Sequence, residues 1–218
     1  MTTNHSATAH HHSHHFDSAQ HEYESDKEGI WLFMVTEILM FGGLFVAYAI
    51  FHQIYPEMFA EGAKQLSWKM GFFNTLVLIA SSLTMALGIY YNQINKSNKA
   101  FWNLIATLVL AGIFLVVKYF EYASKFETGF LPGKFLNPET VGATSQNLGM
   151  YFGLYFCMTG LHGLHVVIGM ILISWLAYRT KRGDFNANYY TPVEGVGIFW
   201  HIVDLIWIFL FPLLYLVG

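Results

Sequence analysis

Charge is scarce in this chain: of its 218 residues only 11% are Asp, Glu, Lys or Arg, against roughly 25% in an ordinary soluble domain. Cysteine is scarcer still. The single Cys157 leaves no disulfide framework, no Cys-x-x-Cys metal or thiol pair and no Cys-x-x-Cys-His haem attachment. A net charge of −3 without a basic run gives no footprint for nucleic acid. A Gly-rich phosphate loop and a Gly-x-Ser-x-Gly elbow are both missing, which removes the commonest nucleotide and acyl-transfer sites. Residues 1–29 lack the basic start and short apolar core of a cleavable signal, so the first apolar run is expected to direct its own insertion.

What the chain has instead is apolar length. Five stretches, Ile30–Ile54, Met70–Ile94, Phe101–Ala123, Leu148–Tyr178 and Gly195–Val217, together hold 127 residues and only four of the 25 charges. Each reaches the roughly 20 residues that span ~30 Å of hydrocarbon. The expected fold is therefore all-α, an integral, multi-pass membrane bundle of five transmembrane helices over residues 30–218. Residues 1–29 form a separate His-rich tail, expected to be disordered and cytoplasmic, with a weaker metal-binding alternative for its seven histidines. Six basic residues (Lys27, Lys96, Lys99, Arg179, Lys181 and Arg182) fall on the N-terminal side of the membrane and four (Lys64, Lys69, Lys125 and Lys134) on the other. That bias places the N-terminus in the cytoplasm and the C-terminus outside.

Ionisable groups inside a span cost ~2.5 to 3.5 kcal/mol, so each needs a partner, a water-filled cavity or a function. Glu37 lies roughly 10 Å into the first span. It reads equally as a proton-exchanging carboxylate or as a hydrogen-bonded tie to a neighbouring helix. His201 and Asp204 share a face of the fifth span and read as an interhelical clamp ahead of a proton relay. His162 and His165 share a face of the fourth, ~20 to 24 Å from its cytoplasmic end. Lys118 and Glu121 read as a light interface ion pair, with the lysine snorkelling outward. Depth separates His165 from His201 by roughly 6 to 11 Å, too far for one ion, so no metal site is expected. Ser81, Ser82 and Thr84 suit helix-to-helix hydrogen bonds, and Gly42–Gly43, Gly149 with Gly153 and Gly160 with Gly163 suit close helix approach.

Four motifs in order carry a family likeness: Thr36-Glu37-Ile38-Leu39-Met40-Phe41, Tyr119-Phe120-Glu121-Tyr122, His162-Gly163-Leu164-His165-Val166, and Phe199-Trp200-His201-Ile202-Val203-Asp204-Leu205-Ile206-Trp207. Asn74 to Ala86 is a weaker fifth. Arg179 follows His165 by fourteen residues and Glu194 follows Arg179 by fifteen. From about Ile30 onward the chain resembles subunit III of the haem-copper oxidases, in its short five-helix bacterial form.

The resemblance implies a subunit without catalytic residues or a cofactor of its own, in the bacterial inner membrane. It would pack on the haem- and copper-bearing subunit I, alongside subunits II and IV. It would bind phospholipid and support proton uptake and sustained oxygen reduction coupled to proton translocation, most simply in a cytochrome c oxidase. Glu37 matches the family's intramembrane carboxylate. Arg179, with His165 and Glu194, matches lipid-binding positions, and a guanidinium fork suits a phosphate. His162, His201, Asp204, Glu121 and Lys118 are then structural polar groups within the membrane. Longer members have two further N-terminal helices walling the lipid cleft, so here the cleft would be completed by another subunit or be absent. Alternatives are subunit III of a quinol oxidase, an accessory protein of nitric oxide reductase, or a small proton-coupled transporter, although the inverted repeats of the last are not evident.

Overall fold

In hydrocarbon no water is at hand to satisfy backbone N–H and C=O groups, so long apolar runs fold as helices that satisfy them internally. The computed structural model describes residues 19–127, 129, 148–185 and 190–217, which form six helices and no strand. These are α1 (Ala19–Ile54), α2 (Pro56–Lys64), α3 (Trp68–Gln93), α4 (Ser97–Glu127), α5 (Leu148–Arg182) and α6 (Thr191–Tyr215). All but α2 are long and apolar enough to cross a membrane.

The helices outrun the apolar stretches at several ends. Helix α1 begins eleven residues before Ile30, so residues 19–29, grouped with the tail by composition, are helical; residues 1–18 lie outside the described residues. Helix α5 runs on through Arg179, Lys181 and Arg182, basic residues that favour a helix C-terminus.

Helix α2 is the element that the apolar count misses. Pro56 opens it, Glu57 sits in its first turn, and Met58, Phe59, Gly62 and Ala63 turn inward. Nine residues with one apolar face read as a lid on the bundle's end.

Helices α3 to α6 form a four-membered ring in which α3 and α5 each pack on both α4 and α6, while α1 lies outside against α5 and α6. Three of the glycines expected at close contacts are not at one. Gly42, Gly43 and Gly163 face open space. At Gly169 a Cβ would come within 2.6 Å of the Trp200 ring, and at Gly71 within 2.8 Å of Phe211. Across α3, Ser81 accepts from the indole N–H of Trp200 (3.2 Å) and Thr84 meets Thr107 of α4 (2.8 Å), as their place in the span suggested.

Candidate functional site

Between α1, α5 and α6 lies an apolar cleft of about 310 Å³, walled by Phe33 and Met34 of α1, Ile168, Leu172 and Trp175 of α5, and Gly195 and Phe199 of α6. Gly195 keeps it open, since a Cβ there would lie 2.7 Å from the Ile30 side chain.

One helical turn beyond Phe33 and Met34 is Glu37, and one turn beyond Ile168 is His165. They meet: His165 Nε2 is 2.7 Å from Glu37 Oε2. The other ring nitrogen, Nδ1, is 2.7 Å from the Leu161 carbonyl. A carbonyl only accepts, so Nδ1 carries a proton and donates it. The Nε2 to Oε2 contact then holds a single proton. It rests either on the histidine, as imidazolium against carboxylate, or on the glutamate, as carboxylic acid against neutral imidazole. Both states are neutral overall, the condition for burying such a pair at low cost. Phe41 and Phe199 pack on the imidazole at 5.4 and 6.5 Å between ring centres.

Their meeting corrects the sequence estimate of depth, which set His165 roughly 10 Å further from the cytoplasmic end than Glu37. That estimate took the edges of the apolar runs as level. The 2.7 Å contact puts the two groups at one height, so those edges are not level.

At the other end of the cleft, the Arg179 guanidinium stacks over Trp175 (5.2 Å) and Phe185 (4.9 Å), and its Nε donates to Asp184 Oδ2 at 3.0 Å. Glu194 is elsewhere. It sits in the first turn of α6, where its charge complements the helix dipole, and accepts from Gln93 of α3 at 3.3 Å. Arg179, His165 and Glu194 are therefore three separate places: beyond Trp175 at one end of the cleft, beyond Ile168 at the other, and on the α3 side of α6.

Lys118 and Glu121 overturn the expectation of a light, snorkelling pair. Their residues are 7% and 4% exposed. The ammonium donates to Glu121 Oε2 (3.1 Å), Tyr155 Oη (3.1 Å) and Tyr215 Oη (3.0 Å). Both tyrosine hydroxyls in turn donate to Glu121 Oε1, at 2.9 and 2.6 Å. All three N–H donors of the lysine are thus used, and rings of Tyr122, Tyr155, Trp207 and Tyr215 stand 5.0–5.7 Å from Nζ. Sequence gave the pair but not the tyrosines, which come from α5 and α6.

His162 is fully buried between Phe114 and Trp207, with no hydrogen-bond partner for either ring nitrogen among the described residues. His201 and Asp204 do not bond to each other; the Ser82 hydroxyl of α3 is 2.6 Å from His201 Nδ1, while Asp204 Oδ1 is buried with no hydrogen-bond partner among the described residues. Among the described residues no three His, Cys, Asp or Glu side chains are grouped to hold a metal ion.

The family profile described as "Cytochrome c oxidase subunit III" matches residues 5–218. The chain is 34% identical to "Cytochrome c oxidase subunit 3" of Thermostichus vulcanus, over 86% of this chain and 85% of that one. It is 29% identical to "Heme-copper oxidase subunit I+III" of Aeropyrum pernix, over 88% of this chain but 22% of that longer one. It is 26% identical to "Probable quinol oxidase subunit 3" of Staphylococcus haemolyticus, over 93% and 94%. With the motifs around Glu37, Glu121, His165 and Asp204 lying within the matched residues, this chain belongs to the cytochrome c oxidase subunit III family of the haem-copper oxidases.

Proposed function

We propose that the chain is the accessory third subunit of a cytochrome c oxidase in a bacterial inner membrane, N-terminus inside. It stands beside subunit I, with subunits II and IV in the same complex, and haem and copper are held by the partners. The relative in Aeropyrum pernix, whose name joins subunits I and III in one chain, supports proximity to subunit I. The higher identity to a cytochrome c oxidase subunit than to a quinol oxidase subunit favours cytochrome c as donor.

The observation that carries a role for this chain is the cleft with a different polar group at each end. Its apolar walls suit a phospholipid acyl chain, and Arg179 at the mouth suits the phosphate, its guanidinium held in place by Asp184 and two rings. The Glu37–His165 pair ends the same cleft. Holding one proton between two groups, it can pass between its two neutral states at little electrostatic cost, so it responds to what lies in the cleft.

The intact complex purified from native membranes tests this. A larger haem protein should come down with the chain, and copurified phospholipid should fall when Arg179 is replaced by Gln. Glu37→Gln should leave initial oxygen reduction largely intact and shorten sustained turnover. A chain that purifies alone, or a Glu37→Gln complex with unchanged inactivation kinetics, would refute the reading.

A further inference from the structure

Helix α6 presents a stripe of Ile198, Leu205 and Ile208 to the outside of the bundle, and beside it on α3 Ile79 and Leu83 are exposed as well. Helix α1 flanks the stripe on one side, through Phe33 on Phe199 and Phe45 on Phe209. Helix α3 flanks it on the other, through Ser82 on His201. Polar side chains elsewhere on the outer wall turn back on their own helix: Thr36 donates to Phe33 O (2.6 Å) and Ser174 to Met170 O (2.7 Å). His201 does not. It belongs to the α6 stripe, one turn from Ile198 and from Leu205, and is half-buried. Its Nδ1 is 2.6 Å from the Ser82 hydroxyl, while Nε2 has no hydrogen-bond partner among the described residues.

In either tautomer Nε2 is a hydrogen-bonding group, a donor or an acceptor. Left bare in hydrocarbon it carries the cost of an unmade bond. From Thr191 to Tyr215 helix α6 is roughly 36 Å long, so it overhangs ~30 Å of hydrocarbon by only about 6 Å in all. His201 is ten residues from Thr191 and fourteen from Tyr215. It therefore lies at least about 9 Å inside the hydrocarbon, wherever along that slack the helix sits. Lipid ester and phosphate groups stay at the boundary, and an imidazole lacks the long stem that lets a lysine or arginine reach it. What can meet Nε2 at that depth is a side chain carried on another transmembrane helix.

We propose that the α6 stripe around His201 is a docking surface for a transmembrane helix of a neighbouring subunit, which presents a hydroxyl, amide or carboxyl side chain to His201 Nε2. Ile198, Leu205 and Ile208 pack against the apolar side chains of that helix, so the interface is an apolar seam with one polar contact. Ser82 holds the ring by Nδ1 and leaves Nε2 for the partner. The proposal rests on the reading of the chain as an oxidase subunit, which supplies the neighbour.

Release of the chain from the intact complex under detergent challenge tests the proposal. His201→Leu should raise dissociation by about three- to twentyfold, the worth of one hydrogen bond between membrane helices. If the stripe faces lipid, the same change only removes a polar group from hydrocarbon and the chain stays bound as in wild type, a result that would overturn the proposal. His201→Gln, which keeps a hydrogen-bonding group, should be released more slowly than His201→Leu. Ser82→Ala breaks the bond inside the chain but leaves His201, so it too should be released more slowly; equal release of Ser82→Ala and His201→Leu would show that His201 acts only through the fold of its own chain. A photoreactive p-benzoylphenylalanine in place of Leu205 should cross-link the chain to another subunit. Links to lipid alone, or to a second copy of this chain, would also overturn the proposal. That measurement leaves His201 in place, so it decides the matter should His201→Leu fail to assemble. A wild-type chain that comes down without a larger haem protein would instead defeat the oxidase reading itself.

Discussion

Lys118 shows how far one residue's role depends on neighbours that its local sequence does not name. Its partner Glu121 is three positions on and so visible as a helix pair. Tyr155 and Tyr215, which make the pair fully satisfied, are 37 and 97 residues away. Burial reverses the energetics, because removing one member of a buried pair strands the other charge. Lys118→Ala should destabilise the subunit by about 3 to 5 kcal/mol. The double variant Lys118→Ala with Glu121→Gln should cost less than Lys118→Ala alone, since no bare charge remains. Thermal unfolding of the four members of that cycle, followed in the purified complex, measures both. A single variant no less stable than the double would mean that the charges are screened by water. Glu37 teaches the same lesson in a different way. Its motif made it a candidate from sequence, but its contact with His165 depended on how two helices 128 residues apart are offset along their axes.

Between elements, the glycines are the sharpest comparison. Pairs such as Gly160 with Gly163 were read from spacing alone as helix contacts, and spacing does not say which face a neighbour occupies. On α5, Gly163 faces open space whereas Gly169, six residues along, is covered by Trp200. Gly169→Ala should therefore destabilise by ~1 to 3 kcal/mol through overpacking. Gly163→Ala should be neutral or stabilising by up to about 1 kcal/mol through helix propensity. Melting temperatures of the two variants in one detergent check the contrast, and similar values would remove the packing argument. The end of α6 depends on its neighbours in another way. Its last carbonyls lack intrahelical donors, and the hydroxyls of Tyr48 on α1 and Tyr151 on α5 supply them, at Leu213 O (2.6 Å) and Leu214 O (2.9 Å). Replacing each tyrosine by Phe should cost roughly 0.5 to 1.5 kcal/mol, and the two costs should add, because the carbonyls differ. A cost below that range in both, on the same unfolding measurement, would show the carbonyls satisfied by other means.

Across the whole molecule, the five spans and their order were legible because hydrocarbon demands long apolar helices whatever else they do. The cleft was not, since its α1 wall lies 134 to 169 residues in sequence from the α5 and α6 residues that face it, and neither was the unequal burial of the spans. In the most apolar window of α1 only 11% of residues are buried within the chain, against 50% in α6. The ring of α3 to α6 is thus a self-sufficient core, while α1 touches it through a few rings, the Glu37–His165 contact and the Tyr48 hydroxyl. An element with few buried contacts opens at lower free energy than the core it leans on. Hydrogen exchange of the chain in detergent, freed from its complex, should therefore show α1 exchanging well before α3 to α6. In the intact complex α1 should be as protected as the ring, because the apolar face bearing Leu32, Leu39 and Val46 is then covered. If α1 is equally protected in both states, the contacts within this chain already suffice to hold it, and its exposed face belongs to lipid and not to a partner subunit.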